Sequence, residues 1–165
     1  MTNDEKQREF HDLLAVNRGR LWAIARSFSD SSDIDDLFQE ILLQLWKSID
    51  SFAGDSSRET WVYRVALNTA LTHRRQLSRR ERNLPTTTVD TEVVQQRHEQ
   101  SCEEQILDEF LQGLSPVDRA LMLLFLDDLT HREMANVTGM NENQVSVRLH
   151  RIRQKFNQQY LESEP

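Results

Sequence analysis

Apolar residues recur along this chain at intervals of three and four, and short polar stretches cut the pattern into helical segments. Phe10, Leu13, Leu14, Leu21, Trp22, Ile24, Ala25 and Phe28 share one stripe, interrupted at Gly19. Residues 29–32 form a polar break, with Ser32 or Asp33 placed to cap the next helix. This second helix runs to about Ser48, with Ile34, Leu37, Phe38, Ile41, Leu42, Leu45, Trp46 and Ile49 on a broad apolar face. Its opposite face carries Asp35, Asp36, Gln39, Glu40 and Gln44. Residues 53–57 read as a loop, and a third helix is expected from near Glu59 to about Arg82.

Beyond Arg82 the pattern changes. Pro85, the threonine run at 86–88 and the scarcity of large apolar groups make residues 83–102 an expected flexible linker, with helix possible only after Val93. A second apolar set opens near Glu103, with Ile106, Leu107, Phe110, Leu111 and Leu114 on one face. Ser115-Pro116 then gives a cap followed by proline at the first helical position. The expected fold is all-α: an N-terminal helical bundle in residues 1–82 and a C-terminal helix-turn-helix domain of four helices in residues 103–165. Only 4 glycines and 3 prolines in the chain agree with that class.

The most specific signal lies at residues 130–156. Thr130 with Glu133, and Asn141 with Gln144, are two successive capping-box patterns. Between them, Ala135 is small where a second helix must cross closely, and Gly139 suits the left-handed backbone of a tight turn. Val145, Leu149, Ile152 and Phe156 form the buried stripe of the next helix. Asn143, Ser146, Val147, Arg148, His150, Arg151 and Lys155 take its outer arc. A basic outer arc on the second helix of such a pair points to the major groove of DNA rather than to an ordinary helical hairpin.

The formal charge of −7 argues against DNA only until it is divided along the chain. Residues 58–82 hold 7 basic and 2 acidic side chains, whereas residues 83–130 hold 2 and 10. Phosphate binding needs local positive potential, not a basic total. In the third helix Arg64, Asn68, Thr72, Arg75, Arg79 and Arg82 fall on one face beside Trp61, with Arg58 just ahead of it. Cations mixed with an aromatic suit a strand whose bases stack or flip out; a solvated basic face beside a core tryptophan is the plainer alternative. The lone cysteine, Cys102, excludes an internal disulfide and a cysteine zinc site. The polar opening of the chain and the short apolar run at 120–126 carry no signal-peptide or membrane-helix pattern, so a cytoplasmic protein is expected.

Two groups of residues resemble a known family. Residues 33–41 (DIDDLFQEI), Trp46, Phe52, Gly54, Asp55, Ser56, Ser57, residues 60–66 (TWVYRVA), Asn68 and Arg74-Arg75 are similar to region 2 of bacterial extracytoplasmic-function (ECF) sigma factors of the sigma-70 family. Leu114-Ser115-Pro116, Leu129-Thr130, Glu133-Met134-Ala135, Gly139, Val145 and residues 148–153 (RLHRIR) are similar to their region 4. The resemblance implies that Asp35, Asp36, Gln39 and Glu40 bind the β′ clamp helices of core RNA polymerase. It implies that the 54–60 loop, Arg58, Trp61, Arg64, Asn68 and Arg75 recognise and help open the minus-ten promoter element. It implies that Asn143, Ser146, Val147, Arg148, His150 and Arg151 read the minus-thirty-five element, and that region 4 touches the β flap. An anti-sigma factor, often membrane-bound in this family, is an implied further partner; no cofactor, metal or catalytic group is. The family often has a basic residue where Ser146 stands, a small polar one at Val147 and an aromatic at Arg58. Val147 is thereby a candidate for a thymine methyl.

Two rivals are weaker. An enzyme would need a phosphate loop, a nucleophile elbow or a third ligand beside His131 and Glu133, and the sequence shows none of these patterns. A helix-turn-helix regulator that does not act as a sigma subunit accounts for residues 130–156, but leaves the acidic face of the second helix and the Trp61–Arg75 helix without a purpose.

Overall fold

In the computed structural model, residues 2–83 and 101–161 are described, and among them every regular element is helical. Seven α-helices occur in order: α1 (Asn3–Phe28), α2 (Ile34–Ser48), α3 (Arg58–Asn83), α4 (Cys102–Gln112), α5 (Pro116–Leu126), α6 (His131–Thr138) and α7 (Glu142–Tyr160), with a 3-10 turn at Ile49–Ser51. The chain divides into two compact units, Met1–His98 and Glu99–Pro165. Of the stretch expected as a linker, residues 84–100, including any helix after Val93, lie outside the described residues. No helix among the described residues is long and apolar enough to cross a membrane.

In the first unit α1, α2 and α3 each pack on the other two. Leu13, Leu21, Ile24 and Phe28 of α1 meet Leu37, Ile41 and Leu45 of α2 and Val62, Ala66, Leu67 and Ala70 of α3, all buried. The interruption expected at Gly19 does not occur; α1 runs unbroken through it. An interior glycine costs a helix roughly 0.5–1 kcal/mol relative to alanine. Burying each large side chain on either side returns about 1.5–3 kcal/mol, so the stripe prevails. The cap expected at Ser32 or Asp33 is also absent. Asp33 holds the N-cap position of α2, yet its side chain makes no capping bond and instead accepts from the Ser32 hydroxyl at 3.2 Å. α3 begins at Arg58, where the Ser57 hydroxyl accepts from the Thr60 backbone N–H at 3.1 Å.

In the second unit α5, α6 and α7 enclose Leu121, Leu124, Met134, Val145 and Leu149, and Phe110 and Leu111 of α4 close the core. One buried cation organises the α4–α5 junction. Arg119 donates to the carbonyls of Leu111 at 2.7 Å, Gln112 at 2.9 Å and Leu114 at 3.3 Å, satisfying acceptors that the end of α4 leaves open. Both capping boxes expected around the helix-turn-helix form. Gly139 ends α6 with φ 75°, in the left-handed region.

The turn and the cap of α6 can be tested separately. A Cβ at Gly139 would meet nothing within 4 Å, so Gly139→Ala tests backbone strain alone; it should cost about 1–2 kcal/mol, read from urea unfolding. The carboxyl of Glu133 is held below its ordinary value by hydrogen bonds from the backbone N–H and then the hydroxyl of Thr130. A depressed folded value means that this stabilisation is complete above the unfolded carboxyl's pKa and fades as pH falls through the lower, folded one. Acid titration of amide protection in α6 should therefore show a loss in wild type that Glu133→Gln lacks.

Candidate nucleic-acid interface

The loop before α3 owes its shape to two residues. Gly54 takes φ 78°, and Phe52 turns inward against Trp61, with ring centroids 5.4 Å apart. The Arg58 guanidinium stacks over Phe52 at 5.6 Å and pairs with Glu9 of α1. Between this loop and the first turns of α3 lies an open pocket of about 290 Å³, with Phe52 and Trp61 in its wall and Asp55, Ser56, Arg64 and Asn68 around it. That volume is at the small end of ligand pockets, roughly 300–1,000 Å³, and the mixture is chemically apt for a flat heteroaromatic ring. Aromatic faces stack, while a carboxylate, a hydroxyl, an amide and a guanidinium offer both donors and acceptors.

Trp61, Arg64 and Asn68 are thus brought together by the structure. Arg58 is near them but engaged with Glu9. Arg75 stands on the same exposed stripe about 10 Å further along the helix axis than Asn68, with Thr72 between them and Arg79 and Arg82 beyond, all exposed. The other face of α3 is core, so the polar stripe is held on a rigid support.

On α2, Asp35, Asp36 and Gln39 are exposed, whereas Glu40 is half-buried and faces Nδ1 of His73 on α3 at 3.3 Å. Gln44, expected on this polar face, is half-buried. Its neighbour Leu43 is 48% exposed instead. Leu43 lies two turns after Asp36 on the same side. The available signal was that Leu43 falls outside the apolar stripe through Leu42 and Leu45. Trp22 of α1, 40% exposed, meets Phe38 edge-on at 5.2 Å close to the same helix.

On α7, Val145, Leu149 and Ile152 are buried, while Asn143, Ser146, Val147, His150 and Arg151 are exposed. Three cations of this helix have internal partners. Arg148, half-buried, donates to the Asp118 carboxylate at 2.7 Å, Lys155 donates to the Gly113 carbonyl at 3.2 Å, and Arg153 stacks on Phe125 at 4.4 Å. Arg148, on the outer arc that the sequence pattern describes, is thus paired within its own unit. Among the described residues no group of three His, Cys, Asp or Glu side chains is arranged to hold a metal ion, and Cys102 is exposed.

Comparison with known proteins matches the family model "Sigma-70 region 2" to residues 13–80 and "Sigma-70, region 4" to residues 104–156. The ECF RNA polymerase sigma factor SigG of Mycobacterium tuberculosis is 42% identical over 84 residues, which is 50% of this chain and 22% of that protein. The chain thus matches only about a fifth of that relative's length. The ECF RNA polymerase sigma-E factor of Escherichia coli is 27% identical over 168 residues, covering 92% of this chain and 86% of its own. Among solved structures, the sigma factor RpoE bound to the anti-sigma factor NepR from Bartonella quintana aligns with TM-score 0.79 at 21% identity, covering 96% of this chain and 99% of that one. CnrH in complex with the cytosolic domain of CnrY aligns with TM-score 0.69 at 24% identity, covering 96% and 91%. At these identities the structural likeness speaks for the fold.

Proposed function

The chain belongs to the sigma-70 family, in its ECF group, and from that premise we propose that it is a promoter-selecting subunit of RNA polymerase. The observation that carries this reading is the Phe52–Trp61 pocket at the head of the exposed arginine stripe of α3. A plain helix-turn-helix regulator has no use for it. Opening a duplex requires that the unpaired form bind better than the paired one. A base leaving the stack costs a few kcal/mol, and stacking it on an aromatic side chain returns about 1–3 kcal/mol. Phe52 and Trp61 receive the flipped base, Arg64 and Asn68 hold its edge or its phosphate, and Arg75 tracks the backbone. Arg58, braced by Glu9, fixes the loop beside the pocket.

Asp35, Asp36, Gln39 and Glu40, together with Leu43, form the surface for the β′ clamp helices. Glu40 is oriented through His73, and Leu43 supplies the apolar centre that a polar-rimmed interface needs. In the second unit, α7 enters the major groove of the minus-thirty-five element with Asn143, Ser146, Val147 and His150 toward the base edges and Arg151 toward the adjoining backbone, while region 4 also meets the β flap. The protein works in the cytoplasm, where polymerase and promoter are, and an anti-sigma factor, membrane-bound or free, controls it by covering the polymerase surfaces. The RpoE–NepR relative, a sigma factor with its anti-sigma factor, supports that last part.

Transcription with purified core polymerase tests the reading. The chain should confer initiation at defined start sites; a chain that binds DNA yet leaves core polymerase unselective acts as an independent regulator instead. Trp61→Ala should lower open-complex formation by about 5- to 150-fold, the equivalent of 1–3 kcal/mol of stacking, with core binding retained. Asp36→Arg should show the opposite split, weak co-purification with core polymerase and unchanged helicity. Equal loss of core binding and opening in Trp61→Ala, or full core binding by Asp36→Arg, would contradict the division of labour.

A further inference from the structure

We propose that Asp118 limits the affinity of the DNA-reading helix for any duplex by withholding Arg148 from the phosphate backbone, an inference that rests on α7 being the major-groove helix. The Asp118 carboxylate is fixed at both oxygens. One accepts from Arg148 Nη1 at 2.7 Å, and the other accepts from the Ser115 hydroxyl at 2.8 Å. That hydroxyl in turn accepts from the Asp118 backbone N–H at 3.2 Å, as the N-cap of α5. The acceptor is therefore in place before Arg148 reaches it, and only the arginine loses freedom on pairing. The carboxylate is 26% exposed and the guanidinium 43%, so solvent and salt screen this pair less than a fully exposed one.

The position of Arg148 gives the pairing its consequence. Arg148, Arg151 and Lys155 stand at spacings of three and seven, along one flank of α7. Lys155 is also engaged internally, on the Gly113 carbonyl. Arg151 is exposed, one turn from Arg148. A phosphate that meets Arg151 lies within reach of a released Arg148, because side chains three apart on a helix are neighbours. Phosphate contacts strengthen binding to every sequence alike, whereas base-edge contacts discriminate. By holding Arg148, Asp118 withholds a sequence-blind contact, so affinity for specific and random duplexes falls by the same factor while Asn143, Ser146, Val147 and His150 still discriminate between sequences.

The full-length chain is titrated onto two labelled duplexes, one of random sequence and one chosen by binding selection, across a salt series. Asp118→Asn removes the charge but keeps the size. It should raise affinity for the random and the selected duplex by the same several-fold factor, steepen the log–log salt slope on each by about 0.9, the value of one further phosphate, and leave the ratio between them unchanged. Asp118→Glu, which retains the carboxylate, should keep the wild-type slope, and adding Arg148→Gln to Asp118→Asn should erase the gain. An unchanged slope in a folded Asp118→Asn chain overturns the role of Asp118. So does a full-unit loss of slope in the single variant Arg148→Gln, which would mean that Arg148 already holds a phosphate. Failure of the wild-type chain to bind either duplex overturns the reading of α7 itself, and this role with it.

Discussion

Twenty basic side chains share this chain with twenty-seven acidic ones, and a protein so constituted can hold DNA only if its cations are not all claimed by its own carboxylates and carbonyls. The fold resolves this by position. Several cations that meet internal partners do so at joints: Lys6 with Asp50 and Arg58 with Glu9 tie α1 to the turn before α3 and to its start, Arg119 ties α5 to the end of α4, and Arg148 ties α7 to α5. The exposed cations Arg75, Arg79 and Arg82 lie along a single face of α3, and Arg151 lies on the outer side of α7. Their fields add over phosphate-sized distances without an acidic residue of the same face between them. Net charge is a poor guide to such a molecule, because the Debye length at physiological salt is only about 8 Å. DNA approaching α3 is influenced by that face far more than by the net charge of the chain.

Much of this was legible in the sequence because it depends on local rules. Both capping boxes of the helix-turn-helix, the left-handed turn at Gly139 and the stripe of Val145, Leu149 and Ile152 follow from residue type and spacing within some fifteen residues, and each occurs as expected. The exposed stripe from Asn68 to Arg82 was legible for the same reason. What escaped depends on residues far apart in the chain. Gly19 reads locally as a breaker, yet tertiary burial on both sides of it overrides a cost near 1 kcal/mol. Arg148 reads locally as part of an open basic arc, but its position is decided by Asp118, thirty residues away. Glu40 reads as a free acidic residue until His73 is brought opposite it. Phe52 could be recognised only by resemblance, since nothing local says that its ring will turn toward Trp61 to wall a pocket.

Two tasks are joined in the first unit through a shared wall. α3 is at once part of the core, through Val62, Tyr63, Ala66, Leu67 and Ala70, and the bearer of the pocket and the arginine stripe. α2 buries Leu37, Ile41 and Leu45 against that same wall and turns Asp36, Gln39 and Leu43 outward. Glu40 and His73 meet across the α2–α3 contact, so on the proposed reading a partner on α2 and a strand on α3 act on one packed body. A close-packed interior has little compliance, so displacement imposed at one face is transmitted rather than absorbed. On that proposed reading, strand separation needs no hinge within this unit: a partner that fixes α2 also fixes the pocket, and the base moves to reach it.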